Sequence, residues 1–479
     1  MFKDLLTMYL PSYPTVLVYM LQSTEYQVKP YLRWYGQITN FNMVMRRRKL
    51  DKTVPARLLL MSVRLGIALQ IGASITLLVI ANRRGTTPMY WYAAALLASY
   101  PVVWAYALVV PLVLGRLILV APKEKILVQK SRTIFREHAG ATIAVLGSYG
   151  KTSMKEILLS VLSVGKKVAA TPANKNVPVS HAYFAAKLRG DEDILIIEYG
   201  EGKLGDIRRF AEVTQPDIAV ITGLAPAHLD KYPSLKSAGK DLFSISQFVP
   251  PEKIYVNAES PAIKPFLKRN YRSYDSKLVL GWQIDDVSVD FDGVRFKMTK
   301  DKEVIELRSS LLGRHQVGPL AFAAALGHDL GLTKAQIQEG VTKIQPVEHR
   351  MQPRFVRGAW IIDDAYNGNI DGMKAGLKLL AELPARRRIY ITPGLVDQGE
   401  ETQAVHVRLG EAIAKARPDQ VVLMVNSVTE HIQHGLRLGG FKGDLVLEED
   451  PLNFYTNIEH YIAAGDVILM QNDWTDNYN

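Results

Sequence analysis

The residues best placed to do chemistry lie at 147–153, in the run Gly-Ser-Tyr-Gly-Lys-Thr-Ser. An apolar run (Ile143, Ala144, Val145, Leu146) stops at Gly147, and from Met154 onward apolar residues recur at helical spacing. This order predicts a buried strand, a glycine turn and a helix start. Such a turn aims backbone N–H groups and the positive end of a helix at one point, which suits a phosphate. Gly147, Ser148, Gly150 and Ser153 would form the cradle. Lys151 would reach the terminal phosphates, and the Thr152 hydroxyl would hold Mg²⁺. The spacing G-x-x-G-K-T is shorter than the common G-x-x-x-x-G-K-[ST] loop.

Further candidates fall at the ends of other apolar runs. Glu198 closes DILIIE and precedes Tyr199-Gly200. A carboxylate at the C-terminal end of a parallel strand faces the ligand crevice and, beside a phosphate loop, suits Mg²⁺. His228, in ITGLAPAHLDKY, follows another such strand, where a neutral imidazole could bind a second divalent ion. Lys240 is either a plain surface lysine or, carbamylated by CO₂, an anion able to bridge metals. Asp363-Asp364 ends a further apolar run, and an acid at such a turn can bind a ribose hydroxyl. Arg350 lies between the two apparent α/β stretches, where its guanidinium fork could swing onto a γ-phosphate.

The elements that must position these groups follow from patterning. Apolar runs at 194–197, 218–222, 254–257, 360–363, 389–392, 421–425 and 467–470 alternate with helical patterns, which reads as parallel α/β. Residues 278–308 instead alternate as antiparallel strands around an Asp292-Gly293 turn. Near the N-terminus, 65–81 and 89–115 are uncharged over about 17 and about 27 residues, the lengths of membrane-spanning helices. Tyr90, Trp91 and Tyr92 flank the second as interface aromatics would. The basic run Arg46, Arg47, Arg48, Lys49, Lys52 and Arg57 and the pair Lys123 and Lys125 would then share the cytoplasmic side. Residues 1–57 read as amphipathic helices at an anionic bilayer surface or, alternatively, as a small helical subdomain packed elsewhere. The chain of 479 residues carries a net charge of +11 and a pI near 9.4. With so much basic charge beside apolar segments, the balance points to membrane lipid rather than nucleic acid. The absence of cysteine excludes disulfides, thiolate metal sites and a cysteine nucleophile. The expected organisation is a membrane-surface region at 1–60, a transmembrane hairpin at 61–120, a central ATP-binding domain at 121–345 and a smaller Rossmann-like domain at 346–479.

From 142 onward the chain resembles the Mur ligase family, the ATP-dependent amide-forming enzymes of cell-wall precursor synthesis. GSYGKTS, TPANKNVP (171–178), EYG (198–200), APAHLD (225–230), LLGRH (311–315), EHR (348–350) and IIDDAYNGNIDGMKAGL (361–377) fall in the family's order. The DDAYNGN form, with GLVDQGEETQAVH (394–406), is most similar to the MurF branch, which adds D-Ala-D-Ala to a UDP-muramoyl tripeptide. The resemblance implies ATP and Mg²⁺ as cofactors, and an acyl phosphate formed on a muramoyl-peptide carboxylate and attacked by an amine. It also implies roles. Lys151 and Thr152 would bind ATP phosphates and Mg²⁺, and Glu198 and His228 would be metal ligands. Lys240 would be the carbamylated lysine, Asn174 would lie near the γ-phosphate, and His315 would contact adenine. Arg350 would contact the γ-phosphate and Asp364 the ribose. Three departures stand out. The gap from His228 to Lys240 is about two or three residues shorter than the family's. The membrane region occupies the place of the family's UDP-sugar domain, which leaves room for a lipid-linked or polymeric acceptor. The family's His-Asn-x-x-Asn adenine motif reads His315-Gln316-Val317-Gly318-Pro319. The rival expectation is a non-catalytic nucleotide-binding scaffold at the membrane.

Overall fold

The computed structural model describes residues 6–472 apart from 25, 39, 42, 43, 45–49, 173–175, 226–231, 233, 367, 396 and 397. The chain divides into two compact units, Met1–Ile126 and Leu127–Asn479.

In the first unit, helix Val54–Arg84 starts where the Thr53 side chain accepts from the Ala56 N–H, has a proline in its first turn, and ends at left-handed Gly85. It is longer than the uncharged run at its centre because its caps, rather than the limits of apolarity, set its ends. Helix Thr87–Ala107 follows. Gly66 admits the Trp104 ring between them, since a Cβ there would lie 1.9 Å from it. The indole N–H donates to Gln70 (2.8 Å), Gln70 donates to the Leu96 carbonyl (2.9 Å), and buried Ser74 donates to the Ala93 carbonyl (2.7 Å). Both helical stretches, Val54–Arg84 and Thr87–Glu137, are long and apolar enough to cross a membrane, with mean hydropathies of 1.9 and 2.2 over their most apolar windows. The N-terminal segment does more than lie beside them. Helix Tyr13–Ser23 buries Tyr13 and Val16–Leu21 against Ala56, Leu59, Val63, Ala105 and Leu108. Tyr9, Tyr13 and Tyr31 donate to the carbonyls of Ala98, Pro101 and Ala105 (2.6, 2.9 and 2.8 Å). These acceptors share one helix face around Pro101, where proline disturbs the helix's own hydrogen bonding. The basic run at 46–49 lies outside the described residues.

The second unit is built on two sheets. In chain order the strands of the first are β1 (Ala141–Leu146), β2 (Val168–Ala170), β3 (Ile194–Glu198), β4 (Ile218–Ile221), β5 (Ile254–Asn257), β6 (Arg272–Tyr274), β7 (Leu278–Val279), β8 (Trp282–Asp290), β9 (Gly293–Lys300) and β10 (Glu303–Ser309). Their spatial order is β10-β9-β8-β7-β6-β5-β4-β1-β3-β2. The first six in the chain pair in parallel, and β7 to β10 extend the same sheet as antiparallel neighbours. The antiparallel segment foreseen at 278–308 is thus an extension of this sheet rather than a separate patch.

The parallel strands read as continuous apolar runs because both faces are covered. Ile143 and Val145 pack toward helix Val317–Asp329, while Ala144 and Leu146 face Leu195, Ile197 and Ile221. That helix is apolar on every side and buried along most of its length. The second sheet holds β11 (Gln352–Val356), β12 (Ala359–Asp364), β13 (Arg387–Thr392), β14 (Gln420–Met424), β15 (Asp444–Glu448) and β16 (Asp466–Gln471) in the order β11-β12-β16-β13-β14-β15. All pairings but the antiparallel β11–β12 edge are parallel. The Phe291 ring stacks on Trp360 (centroids 4.7 Å apart, planes 5° apart) and Arg314 pairs with Glu382 (3.2 Å), so the parts of the chain carrying the two sheets are in direct contact.

Candidate active site

β1 lies between β3 and β4, which puts the turn after β1 at the point where the chain's strand order reverses. Ligands of open α/β sheets bind in the crevice at such a point. Gly147 has φ +142°, and a Cβ there would meet the Thr222 hydroxyl at 2.4 Å and the Gly223 carbonyl at 2.8 Å, so only glycine fits. Gly150 (φ +73°) caps helix Lys151–Leu162. The Ser148 N–H donates to the Gly223 carbonyl (2.9 Å), and the Thr222 hydroxyl bonds the Tyr149 carbonyl, tying the loop to the end of β4. The Lys151 ammonium lies across the loop and donates to the Gly147 carbonyl (2.5 Å).

Glu198 is held from every side. Its backbone N–H donates to Thr171 (3.0 Å), and its carbonyl bonds His181 Nε2 (2.9 Å). Burial drives the His181 pKa down to about 4, so the ring is neutral near pH 7 and carries its proton on Nε2, the nitrogen facing that carbonyl. Carboxylate Oε1 accepts from the Thr152 hydroxyl (3.1 Å) and the Asn176 amide (3.3 Å), and Oε2 faces the Lys155 ammonium (3.4 Å). Thr152 and Glu198 together offer the hard oxygen donors that Mg²⁺ prefers, and the buried Oε2 accepts no hydrogen bond among the described residues. The residues present therefore fit a magnesium ion.

A cleft of about 630 Å³ runs from this loop to the second sheet. Ser148, Gly150, Lys151, Thr152, Ser153 and Glu198 line one wall, and His315, Arg350 and Asp364 line the other parts. Burial lowers the His315 pKa to about 4, so the ring is neutral. Arg350 lies over the Tyr366 ring, 4.6 Å from its centroid, and is bracketed by His349 (φ +58°) and Met351 (φ +47°). Two non-glycine residues in the left-handed region store strain at the link between the sheets. Asp364 accepts from Gln471 (2.8 Å) and from the Met351 N–H (3.2 Å). Burial nonetheless raises its pKa to about 6.

The structure thus brings nine of the expected residues together around one cleft, with Gly147 at the root of its phosphate loop. Asn174 and His228 lie outside the described residues. Lys240 stands apart: it is exposed on helix Leu235–Leu242 and does not line the cleft. Gly239 is pressed against the Phe266 ring, 2.2 Å from where a Cβ would sit, and this register turns Lys240 outward. Several holding residues were missed in the sequence. Lys155 carried a signal, a charge on a helix face where Met154, Leu158 and Leu162 are buried. Asn472 carried none. It accepts from the Gly368 N–H (2.6 Å) and donates to the carbonyls of Gly394 (2.5 Å) and Asp364 (3.1 Å), locking the three strand ends of the second sheet together.

Asp364 has a stability signature. Its folded pKa near 6 exceeds the ordinary aspartate value of about 3.9, so folding favours the protonated form. Its contribution to stability is present below about pH 4 and is lost as pH rises to about 6. Asp364→Asn should remove that loss, gaining about 1–3 kcal/mol over wild type between pH 4 and 6 and holding that gain above pH 6. Urea unfolding of both proteins from pH 4.5 to 8 measures it, and a gap that does not widen with pH would refute the assignment.

A glycine loop at the head of a helix on one sheet and an acidic strand end on a second share one cleft, an α/β arrangement that suits a nucleotide. Residues 145–327 match the Mur ligase middle domain and residues 349–471 the Mur ligase glutamate ligase domain, together well over half of the chain. The chain belongs to the Mur ligase family. It is 28% identical over 287 residues to the UDP-N-acetylmuramoyl-tripeptide–D-alanyl-D-alanine ligase of Escherichia coli K12, covering 58% of this chain and 63% of that protein. It is 30% identical over 344 residues to the ligase of the same name from Mycobacterium tuberculosis H37Rv, covering 68% of this chain and 66% of that one. The chain therefore spans a little under two thirds of the length of these relatives. Its fold is similar to that of MurF from Thermotoga maritima in complex with ADP (TM-score 0.64, 20% identity, 73% of this chain and 80% of that one). It is likewise similar to MurF from Acinetobacter baumannii (TM-score 0.63, 20% identity, 73% and 77%).

Proposed function

We propose that the chain is an ATP-dependent, ADP-forming acid–amino-acid ligase of peptidoglycan precursor synthesis, joining D-Ala-D-Ala or a similar amine to a muramoyl-peptide carboxylate. The observation that carries this reading is the set Lys151, Thr152 and Glu198 facing Arg350 and Asp364 across one cleft. In the first step a carboxylate oxygen of the acceptor attacks the γ-phosphorus of ATP, the bond to the β-phosphate oxygen breaks, and ADP leaves. The amine nitrogen then attacks the acyl carbon and loses a proton, and inorganic phosphate departs with its electron pair as the amide forms. Lys151 and the loop N–H groups hold the phosphates in line, and Arg350 neutralises charge on the transferring group. Asp364 receives a ribose hydroxyl, and neutral His315 lies on the adenine side. A magnesium ion held by Thr152 and Glu198 would supply charge neutralisation at the phosphates. Lys240 has no part in this reading.

A second reading of the acceptor rests on the first unit, whose two long helices leave most of their apolar surface exposed. If they span a membrane, the ligase works at its surface and the muramoyl peptide is lipid-linked. Phosphate release by the full chain in lipid vesicles, supplied with D-Ala-D-Ala and either a UDP-linked or a lipid-linked muramoyl tripeptide, decides between them. Release with the first supports the UDP-linked acceptor, and release only with the second supports the lipid-linked one. No release with any acceptor would leave a nucleotide-binding scaffold and overturn the proposal.

A further inference from the structure

Lys155 is fully buried, one helical turn beyond Lys151, and takes no part in the steps described above. A buried ammonium is costly unless it is paired. Its Nζ lies 3.4 Å from Glu198 Oε2 and 3.3 Å from Glu156 Oε1. The Glu156 side chain is 37% exposed and its charge is screened by solvent, whereas that of Glu198 is 3% exposed. Of these two pairings among the described residues, that with Glu198 is the stronger. The carboxylate divides its work: Oε1 faces Thr152 and Asn176, and Oε2 faces Lys155.

We propose that Lys155 is a positioning residue that keeps Glu198 oriented and electrically balanced until a nucleotide brings the divalent cation. The inference rests on reading Thr152 and Glu198 as the metal ligands. A Lys–Glu pair has no net charge, so a divalent ion arriving alone finds little attraction. A nucleotide's phosphates supply the missing negative charge, and the metal then enters with the nucleotide rather than before it. Charges this close and this buried interact far more strongly than surface pairs, so removing one alters cation affinity by about tenfold or more.

Mn²⁺ titration of the full-length protein in detergent, followed by electron paramagnetic resonance with and without ADP, tests this without turnover. In the wild type, Mn²⁺ should bind weakly alone and tightly with ADP. In Lys155→Met the affinity for Mn²⁺ alone should rise about tenfold, and Glu198→Gln should abolish that gain when added to it. Lys155→Gln, which keeps a polar donor without charge, should behave like Lys155→Met. Folded variants with wild-type affinity for Mn²⁺ alone would overturn the proposal. Should neither variant fold, the wild type decides, because Mn²⁺ bound as tightly alone as with ADP overturns it. A wild type that binds no ADP at all would instead overturn the functional reading.

Discussion

Replacing Lys151 with alanine is expected to lower amide formation at least about 10³-fold, with little change in folding stability. Lys151 is the loop cation at the start of a helix, partly open to the cleft, and buries no core surface. Among the described residues its ammonium donates to the Gly147 carbonyl of the same loop. Phosphoryl transfer depends almost wholly on positioning and charge neutralisation, and removing a single preorganised charged donor of this kind costs about 10³–10⁵ in rate. The measurement is a phosphate-release assay with the acceptor that supports wild-type turnover, alongside thermal unfolding. Lysine replaced by arginine should recover only part of the rate, because the planar fork does not match a point charge on a short tether. If Lys151→Ala kept more than a tenth of wild-type turnover, the phosphate site would lie elsewhere.

Gly147→Ala should damage both stability and nucleotide binding. At φ +142° an alanine is strained even with room to spare, and here there is none: its Cβ would press on the Thr222 hydroxyl and the Gly223 backbone. Strain of this kind costs about 1–3 kcal/mol. Because Thr222 and Gly223 also anchor the carbonyl of Tyr149 and the N–H of Ser148, relief of the clash must move the phosphate loop itself. ADP affinity, measured by calorimetry, should fall at least about tenfold, a loss of about 1.4 kcal/mol. A variant with lowered stability and unchanged ADP affinity would show that the loop does not carry the phosphates.

Much of this architecture was legible because apolar runs and glycines report directly on backbone conformation. The strand ending at Leu146, the turn at Gly147 and Gly150 and the helix from Lys151 follow from sequence alone. So do Glu198 and Asp364 at strand ends, since parallel strands deliver their last residues to one crevice. Arg350 was placed correctly at the link between the sheets, though nothing in its neighbours announced the two left-handed residues that flank it.

Other features depend on residues far apart in the chain. Lys155 as a partner of Glu198, His181 beneath its carbonyl and Asn472 across three strand ends arise only once β1, β3, β12, β13 and β16 are set side by side. For Lys240 the sequence left a plain surface lysine open, and Phe266 packing on Gly239 decided it. In the first unit, the sequence specified two long apolar helices by their uncharged runs and caps. The folding of Tyr13–Ser23 against them, with tyrosine hydroxyls bonded around Pro101, was decided by tertiary packing. Sequence by itself determined which backbone turns could hold a phosphate, because only glycine tolerates those angles and contacts. Tertiary structure alone decided which charges meet there, because a buried carboxylate takes its partner from whatever the fold brings within a few ångströms.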